Sequence, residues 1–330
     1  MNKKNNNDRF YSLNNYLKEK FGCKIYKVSL DGGFTCPNRD GKISHKGCLF
    51  CSDRGSGEFT GERGKSISSQ IDEQLEFIKN KNSDNNVIAY FQNFTNTYAS
   101  VEYLRSVYYE ALSHKKIMGI AIATRPDCLN DEILDLLSEI NEKFFLWIEL
   151  GLQTAKDNIA DVINRGYKTE CYIEVCKKLN ERKIKFVTHM IAGLPFEEKE
   201  DLFETIDLIN SVNSWGIKIH LLYILKNSRL EKYYYEQPFK IYERDEYTDT
   251  VVELIERLNP EVVIHRLTGD AKKDDLAMPL WSANKRSVLN EIQKKLKLKN
   301  TFQGKEYKNE CNIKNERNAE WTYSKGKKDK

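Results

Sequence analysis

The chain has 330 residues, 40% hydrophobic and 31% charged, with a formal net charge of +4. This is the composition of a soluble globular protein, and no apolar run approaches the roughly 20 residues needed to span a bilayer. The first eight residues are polar and carry no secretory signal, so the expected compartment is the cytoplasm and no membrane partner is implied.

Residues 1–8 read as a disordered start, and 9–20 as a helix with Phe10, Leu13, Tyr16 and Leu17 at helical spacing. Strand-like runs follow at 25–30, 87–91, 117–123, 144–150, 184–191 and 217–225. Helical faces alternate with them: Ile67, Ile71, Leu75 and Ile78; Val101, Leu104, Tyr108 and Ala111; Ile133, Leu136, Leu137 and Ile140; Leu202, Ile206 and Ile209. Asn130 before Asp131 and Glu132 is a helix N-cap signature. Repeated βα units predict a parallel sheet. About six units fit before residue 226, too few for a complete eight-fold barrel. No G-x-G-x-x-G follows the first strand, which argues against a dinucleotide fold.

The pattern changes after residue 226. Glu231–Tyr242 is rich in Tyr and Lys, and Tyr233, Tyr234 and Tyr235 offer faces on which bases could stack. An amphipathic helix carries Val251, Leu254, Ile255 and Leu258, Pro260 breaks it before Val262–His265, and 281–298 is a last helix. From Lys294 to Lys330 there are 12 Lys/Arg against 5 Asp/Glu, a basic segment that could meet a polyanion. The expected organisation is a lead-in over 1–22, a partial barrel over 23–230, an accessory region over 231–293 and a basic, flexible tail over 294–330.

Eight cysteines in a chain this long without an export signal do not read as a disulfide set. Cys23, Cys128, Cys171, Cys176 and Cys311 are scattered, and Cys171 and Cys176 fit a helix as small buried hydrophobes. Cys36, Cys48 and Cys51 share one loop after the first strand, separated by eleven and two residues. Three thiolates without a fourth suggest an iron–sulfur cluster with one open iron, and Phe50 supplies an apolar shield. His45 lies between the first two cysteines, so a Cys3His zinc site in an RNA-binding module without redox chemistry stays open.

The cysteine loop resembles that of radical S-adenosylmethionine (SAM) enzymes, in which three cysteines hold a [4Fe–4S] cluster whose fourth iron binds the amino and carboxylate groups of SAM. The usual first gap is three residues. The expanded gap here is similar to that in relatives of the Elongator catalytic subunit. Later strand ends extend the resemblance. Tyr90-Phe-Gln-Asn-Phe-Thr-Asn-Thr-Tyr98 stands where many members have Gly-Gly-Glu, which puts Gln92, Thr95 and Asn96 at the methionine amino group. Glu149-Leu-Gly-Leu-Gln-Thr154 looks like the E-x-G-x-Q element, with Glu149 and Gln153 toward SAM. His189-Met-Ile-Ala-Gly-Leu-Pro195 resembles the adenine cradle through Ile191 and Gly193, and Asn164-Arg-Gly166 recurs in the group, which adds Arg165.

Asp31-Gly-Gly-Phe-Thr-Cys-Pro-Asn-Arg39, Gly55-Ser-Gly-Glu-Phe59, Thr95-Asn-Thr-Tyr-Ala99 and Arg266-Leu-Thr-Gly-Asp-Ala271 look like a bacterial Elongator-like branch linked to the wobble uridine of tRNA. The resemblance implies a partial (β/α)6 TIM-like barrel with a small C-terminal extension, a [4Fe–4S] cluster at Cys36, Cys48 and Cys51, SAM, and a flavodoxin- or ferredoxin-like electron donor. It also implies conversion of 5-carboxymethylaminomethyl to 5-aminomethyl uridine, ahead of a methyltransferase. A radical SAM enzyme acting on a small molecule is the alternative. No catalytic acid or base is assigned. Arg125, His189, His220, Tyr223 and Arg266 are polar candidates near strand ends, and His114 reads as a helix-end residue.

Overall fold

The computed structural model describes residues 8–55, 60–79 and 86–308. Its elements run α1 (Leu13–Phe21), β1 (Tyr26–Leu30), α2 (Ile67–Ile78), β2 (Val87–Phe91), α3 (Val101–Leu112), β3 (Ile117–Thr124), α4 (Asp131–Lys143), β4 (Phe145–Gln153), α5 (Asp157–Val162), α6 (Thr169–Glu181), β5 (Lys185–Ala192), α7 (Lys199–Ser211), β6 (Gly216–Leu221), β7 (Ile224–Leu225), α8 (Arg229–Glu236), α9 (Arg244–Arg257), β8 (Val263–Arg266), β9 (Leu276–Met278) and α10 (Lys285–Leu298). Seven strands form one parallel sheet in the order β1-β2-β3-β4-β5-β6-β8, a partial TIM-type barrel.

Capping sets where the helices start. Ser66, Ser100 and Asn130 each accept a backbone N–H from the residue three positions on, at the heads of α2, α3 and α4. Strand alternation divides the apolar residues between two layers. Val28, Leu30, Ala89, Phe91, Ile120, Ile122, Ile148 and Leu150 join the helices in the outer core. Ile88, Tyr90, Ala121, Ala123, Trp147 and Val187 face inward with Leu17 of α1. There, α1 plugs the N-terminal end of the strands. Tyr16 meets Trp215 edge-on at 4.9 Å, and Trp215 lies 5.9 Å from Trp147.

The sheet has one strand more than the six expected. β8 pairs with β6 through Gly216↔Val263, and its four residues are too few to show a period in sequence. The run expected at 217–225 splits at residue 221, because β7 turns away to pair antiparallel with β9. Helices α9 and α10 pack into the same core as the sheet through Val251, Ile255, Val288, Ile292 and Leu296.

The basic segment expected as a tail from residue 294 begins inside α10. Beyond the helix, Thr301 and Gln303 are buried, and Gln303 bonds to the backbone of Tyr11, Asn259 and Val262. A flexible tail is therefore not what residues 294–308 form. Residues 309–330 with Cys311, residues 1–7 of the start expected as disordered over 1–8, and Ser56–Phe59 of the Gly55 motif lie outside the described residues. Among the described residues no helix is long and apolar enough to cross a membrane.

Candidate active site

Period-two alternation carries polar side chains into the barrel. Lys27 and Ser29 of β1, Tyr90 and Gln92 around the end of β2, Glu149, Gly151 and Gln153 of β4, His189 and Ile191 of β5, and Lys218 and His220 of β6 all line one cavity of about 530 Å³. The size suits a cofactor with a substrate group. Arg266, Asp270 and Tyr223 complete one side, and Cys36, Cys48, Phe50 and Cys51 form the mouth at the C-terminal ends of the strands.

The cysteine loop is held by its backbone. The Cys36 carbonyl accepts the Arg39 and Asp40 N–H groups, at 2.8 and 3.1 Å, and Leu49 N donates to Ile163 O at 2.8 Å. Two asparagines clamp it to the turn after α5: Asn38 Nδ2 donates to Asn164 O and Asn164 Nδ2 to Gly47 O, both at 2.7 Å. None of the three cysteines is in a disulfide. Burial, then the neighbouring Cys51, pushes the Cys48 thiol up to about 12, so a thiolate there calls for a cation. Among the described residues no three His, Cys, Asp or Glu side chains close on a point as a single-ion site requires. His45 is exposed and folds over Gly41. Cys36, Cys48 and Cys51 line the cavity together and His45 does not, which suits a three-thiol cluster better than Cys3His zinc.

Of the expected cofactor residues, Phe50, Gln92, Thr95, Glu149, Gln153 and Ile191 border the cavity, whereas Asn96, Arg165 and Gly193 do not. Thr95 Oγ1 and His220 Nε2 are buried with no hydrogen-bond partner among the described residues, and both residues line the cavity, which marks places where a bound molecule would supply one. Gln153 sits at φ 64° and lays its amide over Gly151, where a Cβ would lie 2.6 Å from Nε2. The E-x-G-x-Q spacing thus puts three residues on one strand face, with the glycine making room.

Four expectations change. Glu149 is 1% exposed and already accepts from Tyr90 Oη (2.6 Å), His189 Nε2 (2.8 Å), Trp147 Nε1 (3.0 Å) and Lys218 Nζ. A carboxylate has about four acceptor positions, so little capacity is left for SAM. Arg165 is fully buried and donates to the carbonyls of Leu152 and Thr154 and to Asp157 Oδ1, tying β4 to the turn that clamps the cysteine loop. Asn96 Nδ2 donates to Phe91 O and Ala123 O, bridging β2 and β3. Gly193, at φ 93°, donates its N–H to Glu197, with Tyr242 3.0 Å from where a Cβ would stand.

Arg125, His189, His220, Tyr223 and Arg266 all reach the cavity. Arg125 is fixed by both oxygens of Asp127, at 2.9 and 2.7 Å. His114 ends α3 beside Asp72. Tyr233 and Tyr234 pack on an apolar cluster, and Tyr235 is exposed. Sequence reasoning missed Lys27, Tyr90 and Lys218. The available signal was a lysine at an inward position of an apolar strand, as in Ile217-Lys-Ile-His-Leu221.

Comparison with known proteins places this geometry. The chain is 43% identical over 301 residues to the uncharacterized protein YtqA of Bacillus subtilis, covering 91% of this chain and 94% of that one. It is 27% identical to Elongator complex protein 3 of Drosophila melanogaster over 56% of this chain and 33% of that protein. The fold matches the archaeal Elp3 of Methanocaldococcus infernus with a TM-score of 0.62, at 16% identity, over 82% of this chain and 63% of that one. Residues 214–298 match the Radical_SAM C-terminal domain, and residues 38–209 match the Radical SAM superfamily. With three cysteines at the mouth of a partial barrel and more than half its length matched, the chain belongs to the radical SAM superfamily, an enzyme family whose cofactors are a [4Fe–4S] cluster and SAM.

Proposed function

We propose that this enzyme acts on the wobble uridine of tRNA and converts a 5-carboxymethylaminomethyl arm to 5-aminomethyl. The observation that carries the reading is one cavity that opens at Cys36, Cys48 and Cys51 and closes on a polar floor, in a chain related to Elongator complex protein 3. Cys36, Cys48 and Cys51 would hold the cluster, and Gln92, Thr95, Gln153 and Ile191 would border SAM. When bound, the pair supplies a 5′-deoxyadenosyl radical able to take hydrogen from an unactivated carbon. The arm's outer CH2 lies between nitrogen and carboxylate, both of which stabilise a radical there. Loss of that hydrogen atom, then of one electron and one proton, leaves a C=N bond, and water releases glyoxylate and the amine. The electron balances the one put in by a flavodoxin- or ferredoxin-like donor.

The chain's own part is enclosure and orientation. Ile191, Phe50 and Leu222 give the wall an apolar share that keeps water from the reacting carbon. An anticodon loop presents its base unpaired, so entry costs little unstacking. A methyltransferase would then use the amine, in the cytoplasm where tRNA matures. The test is nucleoside analysis of tRNA from a deletion strain. Accumulated 5-carboxymethylaminomethyl uridine, with the conversion restored by purified enzyme, SAM and reductant, is the expected result. Unchanged wobble nucleosides with no redundant enzyme present would exclude tRNA as the substrate.

A further inference from the structure

Among the described residues, the floor of the cavity holds more basic side chains than carboxylates. Lys27, Lys218 and Arg266 line it, and Lys285 stands behind Arg266. Among the described residues, two carboxylates answer these four basic side chains. Glu149 pairs with Lys218, and Asp270 is shared by Arg266 at 3.2 Å and Lys285 at 3.0 Å. Among the described residues no carboxylate lies within ion-pair distance of Lys27, whose ammonium stands 4.5 Å from the centroid of the Tyr90 ring. The Tyr90 hydroxyl is committed to Glu149. Nearby histidines do not offset the excess, because burial and then Lys218 hold His189 neutral, down at about 4. Burial lowers the Lys27 and Lys218 ammonium groups from the ordinary lysine range against the pull of Glu149, so an arriving anion would favour the charged form of Lys27 and offset the cost of burying it.

We propose that Lys27, with Arg266 in electrostatic reach, binds the carboxylate of the substrate's arm at the cavity floor, an assignment that rests on the uridine reading above. The depth separates this anion from the one SAM presents at the cluster. Lys27 is three residues below the end of β1, roughly 10 Å at the strand rise, whereas Cys36 lies beyond that end. The reacting CH2 is bonded directly to the carboxylate. Anchoring the carboxylate at the floor therefore fixes the height of the carbon beneath the cysteine mouth. The same contact selects the carboxymethyl arm over an uncharged one.

The experiment uses the reconstituted holoenzyme with saturating SAM and no reductant. Saturation-transfer NMR is read on N-acetylglycine and its neutral isostere N-acetylglycinamide. We expect saturable transfer to the acid alone, lost in Lys27→Met and kept in Lys27→Arg, with cluster content and thermal midpoint confirming that each variant is folded. In parallel, tRNA bearing 5-carboxymethylaminomethyl uridine should bind roughly tenfold more tightly than tRNA bearing 5-methylaminomethyl uridine, a preference lost in Lys27→Met. No saturable transfer in wild type, or equal transfer in Lys27→Met, overturns the site. Acid binding seen only without SAM, with weaker SAM affinity in Lys27→Met, assigns the carboxylate to SAM and also overturns it. Lys27-dependent acid binding with no discrimination between the tRNAs upholds the anion site and removes the uridine reading. Discrimination that survives in Lys27→Met does the reverse.

Discussion

Cys36, Cys48 and Cys51 differ from the other described cysteines in opening together onto the cavity. Cys176, by contrast, is buried in the core. Replacing any one of the three by Ala should abolish the brown colour and the roughly four irons per chain expected after anaerobic reconstitution. His45→Ala should keep both, since His45 faces solvent over Gly41. Iron analysis and visible absorption check this, and stoichiometric zinc in colourless protein would contradict it. The candidate ligands are legible from spacing because all three thiols lie in one short loop. Glu149 shows the converse: its motif indicates which strand face it occupies and says nothing of how many donors already surround it. Those donors come from residues 90, 147, 189 and 218, on β2, β4, β5 and β6, and only the barrel brings them together.

At the scale of elements, long amphipathic segments announced themselves and short ones did not. The helical faces of α2, α3, α4 and α7 repeat often enough to show a period, and their buried residues agree with it. β8 and β9, with four and three residues, are strands only because β6 and β7 offer them open edges. The segment after α10 is likewise held by distant partners, among them those of one side chain. Gln303 accepts Tyr11 N–H and donates to the carbonyls of Asn259 and Val262, each at 2.8 Å. Gln303→Ala strands three backbone groups at a largely buried joint and should cost about 2–4 kcal/mol, measured by denaturant unfolding. A loss within experimental error would mean that the joint is not a source of stability.

For the whole molecule, the uneven charge seen in sequence has two destinations. Lys295 and Lys299 at the end of α10 both pair with Asp249, so part of the basic excess is used within the fold. Residues 309–330 still carry six Lys/Arg against four Asp/Glu. If they help to hold tRNA, truncation after Lys308 should leave the thermal midpoint unchanged and reduce the slope of log K against log salt. The reduction should be roughly 0.7 for each single-strand phosphate that the truncated chain no longer neutralises. Filter binding over a salt series measures the slope. An unchanged slope would place the RNA-binding surface on the folded body instead.

The sequence by itself determined the βα order, the position of the cysteine loop at a strand end, and the family to which those motifs are similar, because each is local: a period, a cap or a ligand spacing is complete within a few dozen residues. Tertiary structure alone decided which inward residues face ligand and which are already satisfied. It made braces of Arg165 and Asn96, took up most acceptor positions of Glu149, and, among the described residues, left Thr95 and His220 with unmet hydrogen-bonding groups and set Lys27 on the cavity floor with no carboxylate in ion-pair distance. Satisfaction of a buried polar group depends on every strand that closes around it. That count exists only once seven strands are in register.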